Sequence, residues 1–309
     1  MLNKIILVIV SVIALYSAFI LVSDINTVYD NISNFKIEFL PIIFPLIFFG
    51  WFLLFLRWNL LLKNSNIHIP FKDSFLIYYS SFAFSFIPGE VGSLVKSKIL
   101  KNKFNIPITK TSPIVISEFI YTGIGLVFLS LFLGGLYFEY GLYIGGIFSI
   151  FLFIMFFMIN SKNVFRIFLR IASKIKFISS YATSFENSFD NIKKSTSGKV
   201  AVYSTLLSIS HLLIESSAVF LIIYAYGIET VFILDIIPMY CTSILLGFVS
   251  FLPLGLGVVE GAFSAFLNLR GIELAVALPL VIIIRLITNW FGILLGAFTL
   301  KKYGGLTSR

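Results

Sequence analysis

The chain has 309 residues, of which 59% are hydrophobic and only 12% charged, with 36 phenylalanines and a mean hydropathy of +1.02. A soluble fold of this length cannot hide that much apolar surface, so the composition reads as one polytopic membrane domain covering 1–309. The net charge of +9 accompanies no nucleic-acid motif and follows topology, which excludes nucleic acid as an expected partner.

In chain order, apolar runs of about 20 residues, the length that crosses the hydrocarbon as a helix, predict spans near 2–22, 39–62, 113–132, 141–160, 200–226 and 276–299. The first run is longer than a signal-peptide core and no small-residue cleavage site follows before "DINTVYD", so it reads as a retained anchor. Two shorter segments, 74–87 and 236–252, each end at a similarly spelled break, "SFIPGEVG" and "SFLPLGLG". Each break leads into a second short piece, 91–100 and 256–269.

The positive-inside rule bears on these short segments. If 74–87 crossed, Lys96, Lys98, Lys101, Lys103 and Lys110 would face outward, whereas a re-entrant hairpin returns them to the cytoplasm. Every Lys and Arg except Lys36, Arg57, Arg270 and Arg285 then lies on the cytoplasmic side, with both termini. The external loops carry Asp24, Asp30, Glu38, Glu139, Glu229, Asp235 and Glu273. The expected fold is therefore all-α, with six spanning helices and two re-entrant helical hairpins in a cell (inner or plasma) membrane. Eight spans are the alternative.

Each break is followed by a span expected to begin after a proline, Pro113 or Pro279. The halves, about 39–132 and 200–299, would enter from opposite sides, which is the inverted-repeat plan in which broken helices line a midplane cavity. A chain that turns inside the bilayer needs Pro and Gly to stop the helix, and its freed backbone groups must face protein or water. Kinked ordinary spans would carry the same spelling.

Ionisable groups at membrane depth cost roughly 2.5–3.5 kcal/mol each on insertion scales and mark cavities or partners. Here they are Arg57, Glu90, Glu118, Glu215, Glu260 and Arg285. Glu118 and Arg285 sit at equivalent depth in the two halves and are expected to pair, either as a register-fixing ion pair or as a functional one. With the break residues Pro88, Gly89, Gly92, Lys96, Pro253, Gly255 and Gly257, all but Glu215 form the candidate substrate-binding set. His211 and Glu215, four residues apart, share a helix face. They read as a polar interhelical contact beside Ser208 and Ser216 or as a proton relay.

Between the halves, the basic segment at about 160–200 includes "NVFRIFLRIASKIKFI", in which Arg166, Arg170 and Lys174 recur every four residues. This reads as an amphipathic helix at 162–176 lying on anionic inner-leaflet headgroups, or as a solvated topogenic loop. The single cysteine, Cys241, excludes an internal disulfide, and with only His68 and His211 no Cys/His metal cluster is available. No P-loop, G-x-S-x-G element, metal-ligand motif or dinucleotide fingerprint occurs, so neither a cofactor nor an enzyme is expected.

The stretch "LPLGLGVVEGAF" resembles the late motif of the flippase-like membrane domain of lysylphosphatidylglycerol synthases and their short homologues. "IPGEVGSLVKSKIL" and "RWNLLLK", with Arg57 and Trp58, are similar to that family's earlier elements. The chain departs from the pattern with Glu90 after Pro-Gly, Ser93 after the next Gly, Lys96 for Arg, and Phe119 after Glu118. The resemblance implies movement of a lipid or lipid-linked amphiphile between leaflets. Since the sequence stops at Arg309, without the synthase domain, lipid aminoacylation is not expected. From other classes, a membrane enzyme acting on a lipid-linked phosphate or sugar, or an accessory subunit serving a separate lipid-modifying enzyme, remain as alternatives.

Overall fold

The computed structural model describes residues 35–87, 92–161, 196–250 and 252–304, with isolated helical positions between 163 and 193. The described residues are mostly helical, with no strand among them. The expected span 2–22 and the break residues Pro88, Gly89 and Glu90 lie outside them, as does most of 162–176. Within that last segment Asn163, Arg166, Ile167 and Arg170 are helical and exposed.

Helix α1, Leu40–Asn64, buries Ile43, Ile47, Trp51, Phe55, Trp58 and Leu62 along one stripe and exposes Ile42 and Phe49 on the other side. That three-and-four spacing is the signature of a helix with one packed face. α2, Phe71–Ser80, tightens into a 3-10 turn at Ser81–Phe84; after the break α3 runs Val95–Phe104. α4, Ile108–Phe132, is followed by the short α5, Gly134–Tyr137, and by α6, Glu139–Asn160. α7, Gly198–Ala225, opens the second half, then α8, Ile233–Val249, and, across the second break, α9, Val258–Asn268. α10, Leu274–Arg285, passes through a π turn at Leu286–Trp290 into α11, Phe291–Tyr303.

Among the described residues, four stretches are long and apolar enough to cross a membrane: Ile37–Asn64, Ile108–Tyr137, Gly198–Ala225 and Leu274–Tyr303. α6 coincides with the span expected at 141–160. Its residues Tyr143, Ile147 and Ile150 are each more than 60% exposed on one stripe, as a lipid-facing surface requires.

Two expectations need correction. The spans do not begin after the prolines; Pro113 and Pro279 each lie five residues beyond the first residue of their helices. A proline there removes only one intrahelical bond beyond those that the first turn already lacks, so the helix runs through it. The segment 74–87 is likewise not one helix, because α2 ends at Ser80 and the chain winds on as a 3-10 turn.

Packing in the first half recurs in the second. α2 contacts α3 as α8 contacts α9, and α3 contacts α4 as α9 contacts α10. Between the halves, α1 packs along α7, while α8 lies against α4 and α2 against α11. Small residues allow the close α1–α7 approach: a Cβ on Gly50 would stand 3.0 Å from His211 Nδ1.

At the edges, Tyr303 donates to Asp73 Oδ1 at 2.7 Å and Lys103 Nζ to the Tyr303 carbonyl at 2.6 Å, joining α11 to α2 and α3. Arg270 pairs with Asp235 at 2.7 Å and reaches the Tyr137 carbonyl.

Candidate functional site

In each half, glycine lets the arms of the break meet through backbone. A Cβ on Gly92 would overlap the Phe84 carbonyl, and one on Gly255 would lie 2.8 Å from Gly247 Cα. In the second break Pro253 starts a 3-10 turn that holds Leu254 and Gly255, with φ of 53° and 65°, and Gly257 follows with φ of 81°. The left-handed conformation suits the glycines and strains Leu254, whose side chain has no such freedom.

Two buried side chains brace that turn. Glu260, 0% exposed, accepts the Gly257 N–H through Oε2 at 2.7 Å, closing the first turn of α9. Through Oε1 it accepts Arg285 Nε at 3.0 Å, while Arg285 also donates to the Leu254 carbonyl. The first half carries the corresponding bond with its charges reversed. Lys96 on α3 donates to Glu118 Oε2 on α4 at 2.5 Å, and its ammonium stands 4.6 Å from the Trp58 ring centre and 5.0 Å from that of Tyr78.

The expected Glu118–Arg285 pair is therefore not formed. Equal depth in two halves does not imply proximity. In each half the short connection from the second arm to the next long helix brings a local opposite charge within reach first.

Between the halves lies a cavity of about 280 Å³, lined from one side by Arg57, Lys96 and Glu118 and from the other by His211, Glu215 and Arg285. Gly255 also lines it; Glu260 stands behind Arg285, and Pro253 and Gly257 shape the adjoining turn. Gly92 lies at the contact between the first break's arms. His211 Nε2 is 3.3 Å from Glu215 Oε2, as their shared face predicts. Arg57 Nη1 donates to Thr122 Oγ1 at 3.1 Å and to Ser208 Oγ at 2.6 Å.

Sequence reasoning did not assign the cage of Trp58 and Tyr78 around Lys96, the Leu254 carbonyl or Thr122. Thr122 was findable, since it lies one turn after Glu118 on the same face. Phe119, in the position after Glu118 where the resemblance leads one to expect a second charge, stacks on Phe248 with ring centres 4.0 Å apart.

Long apolar helices, lipid-facing stripes and a polar cavity walled by buried ion pairs define a multi-pass helical membrane protein. The chain belongs to the family of the lysylphosphatidylglycerol synthase transmembrane region, whose model matches residues 5–296. It is also similar to a UPF0104 membrane protein of Methanothermobacter thermautotrophicus, 28% identical over 109 residues. That match covers 35% of this chain and 32% of the relative, so the chain matches about a third of that protein's length.

Proposed function

We propose that the protein is a flippase-like transporter that moves a lipid or lipid-linked amphiphile between leaflets. The observation that carries this reading is the cavity at the junction of the two halves, where six ionisable side chains gather inside an apolar bundle. Groups so expensive to insert are placed at membrane depth where a polar cargo must pass. In this reading the chain has six spans, two re-entrant hairpins related as an inverted repeat, and both termini in the cytoplasm of a cell with this protein in its inner or plasma membrane. The headgroup crosses through the cavity while the tails stay in lipid. Arg57, Lys96, Glu118, Glu260 and Arg285 define the passage, and the His211–Glu215 pair is placed to exchange a proton with cargo or water. The exposed basic residues Arg166 and Arg170 rest on anionic headgroups. No chemical conversion is part of this function.

Reconstitution of the purified protein in liposomes, with a panel of labelled lipids followed for both leaflet exchange and chemical change, tests the reading. Exchange of an unaltered lipid supports it. A converted product, or a folded protein that exchanges none of the lipids tested, counts against it.

A further inference from the structure

We infer that His211 is a proton-sensitive lock on the α1–α7 seam: the neutral imidazole, with its proton on Nε2, holds the seam closed, and a second proton, on Nδ1, opens it. The use of this lock in a transport cycle rests on the reading above, to which it adds the proton as coupling ion.

The two nitrogens of the ring have opposite surroundings. Nε2 stands 3.3 Å from Glu215 Oε2, and both residues line the cavity. Nδ1 is turned into the seam. It is buried, has no hydrogen-bond partner among the described residues, and fills the space beside Gly50, where a Cβ would come within 3.0 Å of it.

A neutral imidazole has one N–H and one bare nitrogen. The Glu215 carboxylate accepts hydrogen bonds, so it selects the tautomer with the proton on Nε2 and leaves Nδ1 bare against the glycine. An imidazolium has an N–H on both sides. Its Nδ1–H would point into a closed seam that offers it no acceptor among the described residues, and a buried charged donor left without a bond is expensive. Water reaches Nδ1 only when α1 and α7 separate. The parted form therefore binds the second proton, and falling pH favours it.

The seam already holds one cation. Arg57, two turns after Gly50 on α1, donates to Ser208 on α7, three residues before His211. The other ionisable groups around the pair, among the described residues, are Glu118 on α4, matched by Lys96, and Arg285 on α10, matched by Glu260, with Tyr240 and Cys241 on α8. The matched pairs cancel, and a phenol and a thiol carry no charge below about pH 7. Imidazole is the side chain that gains charge as pH falls from about 8 to 5.

The test uses the full-length protein in neutral detergent. With the exposed His68 replaced in H68Q, His211 is the one histidine of the chain, and NMR of 15N-labelled histidine reads which nitrogens carry protons. Spin labels on cysteines replacing the exposed Lys63 and Lys199, at the same end of the antiparallel α1 and α7, in a Cys241→Ser background, report the separation of the two helices. At about pH 8 His211 should be neutral with its proton on Nε2 and the helices close. At about pH 5.5 the imidazolium should form and the ratio of parted to closed molecules rise by about 5- to 150-fold, the range for one buried hydrogen bond left unmade. H211Q keeps a donor for Glu215 but gains no second proton, so it should stay closed at both values.

A proton on Nδ1 at the higher pH overturns the inference. So does an imidazolium with unchanged helix separation, the absence of an imidazolium at the lower pH, or a folded H211Q that still opens; if H211Q does not fold, the wild-type spectra and separations decide. In vesicles, opening without any leaflet exchange would sink the transport reading and leave the lock standing. Exchange at one rate at both pH values would keep transport and overturn its coupling to the lock.

Discussion

Breaking a buried ion pair from one side leaves a charge that the surroundings cannot solvate, and the two pairs found here make that cost addressable. R285Q strands Glu260, which is fully buried, and frees the Leu254 carbonyl. The expected loss is about 3–5 kcal/mol of folding stability, with much of it recovered in R285Q/E260Q, because removing both members is often mild. K96Q and E118Q should couple in the same way. E118Q and R285Q should instead be additive, which thermal unfolding in detergent would establish; coupling between them would contradict the pairing described above. The ionisable residues themselves were legible in the sequence, because a charge within an apolar run stands out. Their partners were not. Matching Glu118 to Arg285 by depth overlooked Lys96 and Glu260, each only a short connection away from its true partner.

At the level of the helices, the two breaks depend on backbone meeting backbone. Gly257 has a φ of 81° and donates its N–H to Glu260, whereas a Cβ on Gly146 in α6 would meet nothing within 4 Å. Gly257→Val should therefore cost about 1–3 kcal/mol, and Gly146→Val close to none, as read from unfolding midpoints. Equal tolerance at the two sites would favour an ordinary kinked helix at the second break. The breaks were legible because Pro and Gly both interrupt a helix. The helix starts at Ile108 and Leu274 were not, because a proline early in a helix resembles a proline that begins one, and only the backbone bonds before it distinguish the two.

For the molecule as a whole, the proposed topology makes a labelling pattern. In a Cys241→Ser background, cysteines replacing Lys101 and Lys194 should resist an impermeant thiol reagent in intact cells, while one replacing Asp30 should react. Labelling of position 101 from outside would sink the first re-entrant hairpin. Membrane class and helical content could be read from composition, since 59% hydrophobic residues with 12% charged ones leave few alternatives. That one cavity would gather Arg57 from α1 with His211 and Glu215 from α7 could not, because their meeting depends on Gly50 and the serines of α7 allowing two distant helices to touch.

The π turn at Leu286–Trp290 sets the phase between the two helices it joins. Arg285, just before it, must point at Glu260, while Gly292 and Gly296, just after it, must lie under Trp51 and against the Phe82–Ala83 backbone. An i→i+5 turn holds one residue more than an α turn in about the same rotation, and an α-helix turns about 100° per residue, so winding these same residues as regular α-helix would rotate one set of contacts away from its target by roughly that angle. The ion pair and the glycine seam cannot both survive such rewinding. The irregular turn is thus the joint that lets a single span satisfy two unrelated neighbours at once.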